Sequence, residues 1–193
     1  GGKNALIVLD DANLNIAVNA AIISAFKTSG QRCTSASRLI VHEKVLSEFE
    51  KRFVETAKRL RIGNPLDEDV FMGPVINQSA TEKIARYNDL AKKEGAKVLL
   101  DGGRLTGEHY KKGYFMSPFV YRMENNPKSR VLHEEIFGPH VAIIPVKDID
   151  EAIEVHNNTD YGLSCAVITE DFRKARRIRD DCEYGLGYVN LPT

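Results

Sequence analysis

The sequence predicts a three-layer α/β protein in which helices flank a mostly parallel sheet. Three observations lead to this prediction: short β-branched runs recur along the 193 residues, longer helical patterns lie between them, and no linker rich in proline, glycine or serine divides the chain. Strands that alternate with helices indicate βαβ units, whose parallel sheet is covered on both faces. At this length, with 42% hydrophobic residues, one domain can bury a core without disulfides or metals.

Seven short apolar runs have the length and composition of buried strands. In chain order they are Ala5–Leu9, Arg38–His42, Lys97–Leu100, Phe119–Tyr121, Val141–Val146, Ser164–Thr169 and Tyr188–Leu191. In sheets of this kind, reactive groups commonly sit in loops at the carboxyl ends of the strands, so we expect the functional residues there.

Five longer segments have the apolar spacing of helices. Residues Asn13–Lys27 are apolar nearly all round, which predicts a helix buried on most sides. The segment Val45–Leu60 is amphipathic, because apolar residues recur in it at four-residue steps. The others are Ser79–Glu94, a helix that begins near Asp150, and Asp171–Cys182.

The composition excludes several classes of protein. Lys and Arg number 27 and Asp and Glu number 27, which argues against a nucleic-acid partner because such proteins carry a basic excess or patch. No apolar stretch reaches about 18 residues, the length of a transmembrane helix, so we expect no membrane partner. Three cysteines at irregular spacing indicate free thiols in a reducing, cytoplasmic environment. The histidines and cysteines lack metal-ligand spacing, so we expect no metal.

Cys33 is the candidate nucleophile. It lies in a turn between the long buried helix and the second predicted strand, so two rigid elements would hold it. A cation beside it, Arg32, would favour the thiolate. The alternative is that Cys33 is a small buried hydrophobe, as most free cysteines are. Cys165 and Cys182 lie within apolar patterns and are predicted to pack in the core.

A second candidate feature is the stiff turn from His133 to Pro139, in which two acids precede Ile136, Phe137, a glycine and a proline. Such a turn could present a carboxylate to a ribose hydroxyl and an aromatic ring to a flat ligand. The residues alone favour the alternative, a solvated acidic turn whose Phe137 side chain plugs the core.

Short motifs occur along the whole chain: Gly1–Asn4, Gly30–Thr34, Gly73–Pro74 with Gly95–Lys97 and Gly102–Gly103, Glu134–Pro139, and Asn157–Ser164. They resemble, in the same order, the motifs of the aldehyde dehydrogenase superfamily. Within that resemblance, Gly30–Thr34 is similar to the nucleophile motif and Glu134–Pro139 to the cofactor-ribose motif. The resemblance therefore implies the catalytic domain of such an enzyme, with its three-layer α/β fold.

The resemblance implies oxidation of an aldehyde to the carboxylic acid with NAD or NADP. Cys33 would attack the carbonyl to give a thiohemiacetal, hydride would pass to the nicotinamide, and water would hydrolyse the resulting thioester. The backbone N–H of Cys33 would stabilise the oxyanion. Among the cofactor-binding residues, Glu135 would hold the nicotinamide ribose and Phe137 would pack near the nicotinamide. Lys83 aligns with a position near the adenosine side, although a lysine on a surface helix is the simpler interpretation.

The resemblance also indicates the class of substrate. The run from Gln31 to Arg38 looks closest to branches of the family that act on semialdehydes, such as 2-oxoglutarate semialdehyde. Arg32 would then pair with the anionic tail of the aldehyde, with Thr34 as a second substrate-binding residue. Alternatively, Arg32 points away and pairs with a local acid.

Some parts of the family's pattern fall outside the chain. The general base, a second oxyanion donor and most cofactor contacts would precede Gly1, and a strand that bridges to a partner subunit would follow Thr193. We therefore expect residues 1–193 to be the catalytic, nucleophile-bearing domain, truncated at both ends and inactive alone, of an enzyme that forms a homo-oligomer. The choice between NAD and NADP stays open. Two other functions also stay open: a Cys33 thiol hydrolase or acyl transferase without nicotinamide, and a non-catalytic fragment that keeps only the fold.

Overall fold

The computed structural model describes residues 1–193 and contains one seven-stranded sheet. The strands are β1 (Asn4–Val8), β2 (Ala36–His42), β3 (Lys97–Leu100), β4 (Phe119–Arg122), β5 (His140–Val146), β6 (Ser164–Ile168) and β7 (Leu186–Val189). Their spatial order is β3-β4-β5-β2-β1-β6-β7, and only β3 and β4 pair in antiparallel fashion. The predicted mostly parallel sheet is confirmed, with strand ends displaced by at most two residues.

Six α-helices cover the sheet. They are α1 (Leu14–Phe26), α2 (Glu43–Lys58), α3 (Gln78–Lys93), α4 (Arg130–His133), α5 (Ile149–Asn157) and α6 (Phe172–Asp181). The five helices predicted from the sequence are present. The sequence pattern does not indicate α4, because a single turn is too short to show a helical period. None of the helices is both long and apolar enough to span a membrane.

Polar side chains determine where most helices begin. The oxygen atoms of Asn13, Asn77, Ser129, Asp148 and Asp171 each accept a backbone N–H from the first turn of the helix that follows. These residue types are the preferred N-caps because they satisfy donors that have no partner within the helix.

The sheet separates two apolar cores. Along β1, Leu6 and Val8 face the core shared with α1 and α2, whereas Ala5 and Ile7 face the core shared with α3, α5 and α6. All of β1 is buried because it lies in the interior of the sheet between two layers of helices. This arrangement confirms the three-layer α/β fold.

The topology brings the candidate functional turns to one edge of the sheet. Cys33 precedes β2, Glu135 and Phe137 precede β5, and Gly2 precedes β1. Because β1, β2 and β5 are parallel neighbours, these residues lie together at the amino ends of the strands. The expectation of a site at the carboxyl ends is therefore wrong for these residues. Each lies in a segment that precedes a strand in the chain, not in one that follows a strand.

Candidate active site

A left-handed turn places the segment that carries Cys33. After α1, the residues Thr28, Ser29 and Gly30 have φ values of 59°, 58° and 65°. A Cβ atom on Gly30 would lie 2.4 Å from the carbonyl oxygen of Gly138, closer than real Cβ atoms approach. Glycine at position 30 therefore allows the nucleophile segment to pack directly against the Glu134–Pro139 turn.

Cys33 is exposed, while its backbone is held in place. Asn4 Nδ2 donates to the Cys33 carbonyl at 2.7 Å and to the Ser35 carbonyl at 3.0 Å. The N–H of Ser35 donates to the Arg32 carbonyl at 3.0 Å, which closes a turn around Cys33. The Cys33 N–H donates to no acceptor of the protein. Since the thiol is exposed, the alternative of a small buried hydrophobe is wrong.

Asn4 is a residue of this site that the sequence analysis did not identify. Its side chain is 4% exposed and uses three of its hydrogen-bonding positions, because Oδ1 also accepts the Ser164 N–H at 3.1 Å. Asn4 thereby ties β1 to the Cys33 turn and to the start of β6. In the sequence it was only part of a motif that resembled the family, with no signal for its contacts.

The predicted substrate residues lie beside Cys33. The Arg32 side chain is part-buried, and its Nη2 donates to the Thr193 carbonyl at 3.0 Å, while its Nε is buried without a partner. Within residues 1–193, Arg32 forms no ion pair with an Asp or Glu side chain, which is the partner that the alternative requires. Thr34 is half-buried, and its carbonyl accepts Ser164 Oγ at 3.5 Å.

The Glu134–Pro139 turn carries the predicted cofactor residues. Glu135 Oε1 accepts the Gly2 N–H at 2.7 Å, and Oε2 accepts no hydrogen bond from the protein. Phe137 has a φ of 64° and is 38% exposed, whereas Ile136 is 2% exposed and packs into an apolar cluster. The alternative in which Phe137 plugs the core is therefore wrong. A non-glycine residue with positive φ is uncommon, and such strain is concentrated at functional sites.

A glutamine connects the two turns. Gln31 Nε2 donates to the Phe137 carbonyl at 3.1 Å, and Gln31 Oε1 accepts the Ile76 N–H at 2.9 Å. The structure thus brings Arg32, Glu135 and Phe137 together around one small polar cleft, and Cys33 follows Arg32 on the exposed turn beside it. Lys83, on α3, reaches the same turn through its Nζ, which donates to the Glu135 carbonyl at 2.8 Å.

Lys3 and Arg130 form hydrogen bonds with the Glu134–Pro139 turn. Lys3 is 1% exposed, and its Nζ donates to the carbonyls of Val131 and Glu134 at 2.8 Å each. Burial lowers the pKa of Lys3 from 10.5 to about 7, and the nearby Arg38 guanidinium adds to this shift. Hydrogen bonds from Arg130 to both carboxylate oxygens of Glu134 lower the pKa of that carboxyl group. Sequence reasoning missed the role of Lys3, since nothing in the pattern indicated a buried lysine.

The residues present fit a nicotinamide cofactor. An ionised carboxylate with a free oxygen can accept hydrogen bonds from a ribose diol. An exposed aromatic ring next to it offers an apolar face for a flat heterocycle. Both groups lie on the turn that packs against the Cys33 segment.

Comparison with known proteins identifies the family. The sequence model of the aldehyde dehydrogenase family matches residues 1–193. Over 190 residues the chain is 42% identical to a 1-pyrroline-5-carboxylate dehydrogenase from Geobacillus sp. (strain WCH70). The matched segment covers 98% of this chain and 36% of that protein. It is 36% identical to an alpha-ketoglutaric semialdehyde dehydrogenase from Bacillus subtilis (strain 168), with coverages of 98% and 39%.

A solved structure agrees with this result. The crystal structure of betaine aldehyde dehydrogenase from Staphylococcus aureus in complex with NAD+ superimposes with a TM-score of 0.95 at 35% identity. The match covers 100% of this chain and 38% of that one. The chain thus spans less than two fifths of the length of these relatives. Because the family model covers every residue and the fold agrees, the chain belongs to the aldehyde dehydrogenase family.

Proposed function

We propose that the protein containing this chain oxidises an aldehyde to the carboxylic acid with NAD or NADP, and that Cys33 is the nucleophile. The observation that carries this proposal is an exposed thiol on a fixed turn, packed against a second turn with a free carboxylate oxygen and an exposed aromatic ring. In this assignment residues 1–193 are the nucleophile-bearing domain. Homo-oligomerisation and a cytoplasmic location stay predictions.

The reaction follows from the chemistry of the thiol. The Cys33 thiolate attacks the aldehyde carbon, a C–S bond forms, and the carbonyl electrons move to oxygen. The Cys33 N–H, which has no partner in the protein, is available to that oxyanion. A nicotinamide cofactor would supply the acceptor for the hydride that leaves the carbon. Water then adds to the thioester, the C–S bond breaks, and the acid and the Cys33 thiol are released.

Three residues are assigned to the cofactor. The free oxygen of Glu135 would accept hydrogen bonds from the hydroxyls of the nicotinamide ribose. Phe137 would pack near the nicotinamide. Lys83 stays a predicted residue of the adenosine side. Its hydrogen bond to the Glu135 carbonyl supports an additional role, which is to orient the carboxylate-bearing turn.

The proposed substrate is an anionic semialdehyde, bound by Arg32 with Thr34 beside it. Relatives named for 1-pyrroline-5-carboxylate and for alpha-ketoglutaric semialdehyde support this class. Arg32 is adjacent to the nucleophile and makes no ion pair within the chain, so its charge is available to a carboxylate. Arg32→Ala should raise KM about 10-fold or more for carboxylated aldehydes and much less for neutral ones. Equal increases for both aldehydes would exclude this assignment, and Arg173→Ala, at an exposed site, is the control.

The proposed function is tested on the full-length protein by measuring NAD(P)H formation. Cys33→Ala should lower kcat at least ~10³-fold, because Cys33 is the one exposed cysteine of residues 1–193 and the proposed site of the thioester. Glu135→Gln should raise the cofactor KM about 10-fold, whereas Glu170→Gln, which removes an exposed carboxylate elsewhere, should not. Turnover that needs Cys33 but no nicotinamide would instead show a thiol hydrolase or acyl transferase. If the full-length protein shows turnover of neither kind, the remaining alternative is a non-catalytic chain that keeps only the fold.

A further inference from the structure

Three side chains from different elements converge outside the Cys33 turn. They are His156 near the end of α5, Cys165 in β6 and Cys182, which caps the end of α6. One ring nitrogen of His156 and the two sulfur atoms all lie within 4.8 Å of one another. The three residues are 3%, 1% and 8% exposed, respectively. Burial of both cysteines confirms their predicted core location, but the histidine gives them a partner that the sequence did not indicate.

The His156 ring has a free nitrogen in this buried cluster. Its Nε2 lies 3.3 Å from the Glu183 carbonyl, which can only accept, so Nε2 carries the proton. The other nitrogen, Nδ1, is buried and has no hydrogen-bond partner. A neutral imidazole whose second nitrogen donates to a backbone carbonyl is the usual arrangement of a metal-binding histidine.

The charge around the cluster favours bound anions. Arg38 is 2% exposed and donates only to carbonyl oxygens, those of Lys3, Val155 and His156. This buried guanidinium therefore has no carboxylate to balance it. Thiolates at Cys165 and Cys182 would bring negative charge close to this guanidinium. A buried charge is stabilised when an opposite charge lies beside it.

We propose that His156, Cys165 and Cys182 bind one Cu(I) ion. Soft thiolates with an imidazole select thiophilic metals, and two sulfurs with one nitrogen satisfy the low coordination number of Cu(I) without a fourth protein ligand. Binding releases the two thiol protons to solvent and forms two Cu–S bonds and one Cu–N bond. The resulting bis-thiolate complex has a net charge of −1, which balances the charge of Arg38. Copper stays Cu(I), so the step needs no oxidant or reductant.

A surface groove reaches one member of the cluster. A groove between α6 and β7 is lined mostly by apolar residues, among them Phe172, Tyr184 and Tyr188, and Cys165 forms part of its wall. The third cysteine, Cys33, is exposed and is not part of the cluster.

The site is tested by anaerobic titration of the reduced full-length protein with Cu(I) against a chromogenic Cu(I) chelator. A Cys33→Ser background removes the exposed thiol. We expect one equivalent of copper to be retained, and Cys182→Ala and His156→Ala each to lower the affinity at least ~10-fold. His109→Ala, at an exposed histidine outside the cluster, should leave it unchanged.

Circular dichroism and X-ray absorption spectroscopy test the site even if a variant fails to fold. If an alanine variant unfolds, which circular dichroism detects, the X-ray absorption spectrum of the copper-loaded Cys33→Ser protein should still show two sulfur neighbours and one nitrogen neighbour. No retained copper, or retention that Cys182→Ala and His156→Ala leave unaltered, would overturn the proposal. So would a copper spectrum without sulfur neighbours.

Discussion

Replacement of Asn4 by alanine should destabilise the fold and loosen the nucleophile turn together. The Asn4 amide donates to the Cys33 and Ser35 carbonyls at 2.7 and 3.0 Å and accepts the Ser164 N–H at 3.1 Å. The side chain is 4% exposed, so alanine would leave these backbone groups without partners in a region that water reaches poorly. The change therefore removes a junction between β1, the Cys33 turn and β6.

The cost can be worked out from these three hydrogen bonds. A buried polar group that loses its partner costs about 1–3 kcal/mol, so three such groups predict a loss of at least about 3 kcal/mol. That is a large share of the roughly 5–15 kcal/mol by which folded domains are stable. Since the Cys33 carbonyl loses its anchor, kcat should also fall in the fraction of protein that stays folded.

Urea unfolding of the full-length protein, followed by circular dichroism, measures this loss. Asn15→Ala is the matched control, because Asn15 is exposed and should change the unfolding free energy by less than about 0.5 kcal/mol. A loss below about 1 kcal/mol for Asn4→Ala, with an unchanged kcat, would refute the reasoning, since the three hydrogen bonds would then contribute little.

Two further substitutions test the support of the site. Gly30→Ala should lower the free energy of unfolding in urea by about 2–5 kcal/mol, because φ is +65° and the new Cβ would clash with the Gly138 carbonyl. Gly103→Ala is the control and should change it little, because there is open space around Gly103. Lys3 has a native pKa of about 7 against an ordinary 10.5. Between pH 7 and 10.5 the Lys3 amine is therefore protonated in the unfolded chain but largely deprotonated in the fold. The free energy of unfolding should then rise with pH over this range. Lys3→Met should flatten that rise, and an unchanged pH profile would contradict the role of burial.

Much of the fold could be predicted because its local signals agree with its tertiary structure. The runs that become β1 and β5 are continuous and apolar, as expected of strands covered on both faces. The helix α1 buries most of its residues because it packs against α2 and the sheet. The helix α4 was missed because four residues cannot show a period. The strand order and the antiparallel β3–β4 pair depend on contacts between distant segments.

The candidate site was harder to predict than the fold. The polar neighbours of Cys33 gave a correct indication of exposure. For the acidic turn, the residues alone favoured Phe137 in the core, but Ile136 takes that place, and only the resemblance to the family put Phe137 at the cofactor. A turn of two acids and two apolar residues does not show which side chain points inwards until φ is known. The burial of Lys3 and Arg38 gave no sequence signal, because the carbonyl groups that satisfy them come from distant segments.

The most direct test of Cys33 as the nucleophile of an aldehyde oxidation is to trap its acyl intermediate. The full-length protein would be quenched with acid during turnover of a carboxylated aldehyde with NAD+ or NADP+, digested, and analysed by peptide mass spectrometry. We predict an acyl group on Cys33 that forms only when both aldehyde and cofactor are present, and no NAD(P)H formation by Cys33→Ala. An acyl group on another residue, or undiminished NAD(P)H formation by Cys33→Ala, would contradict this assignment.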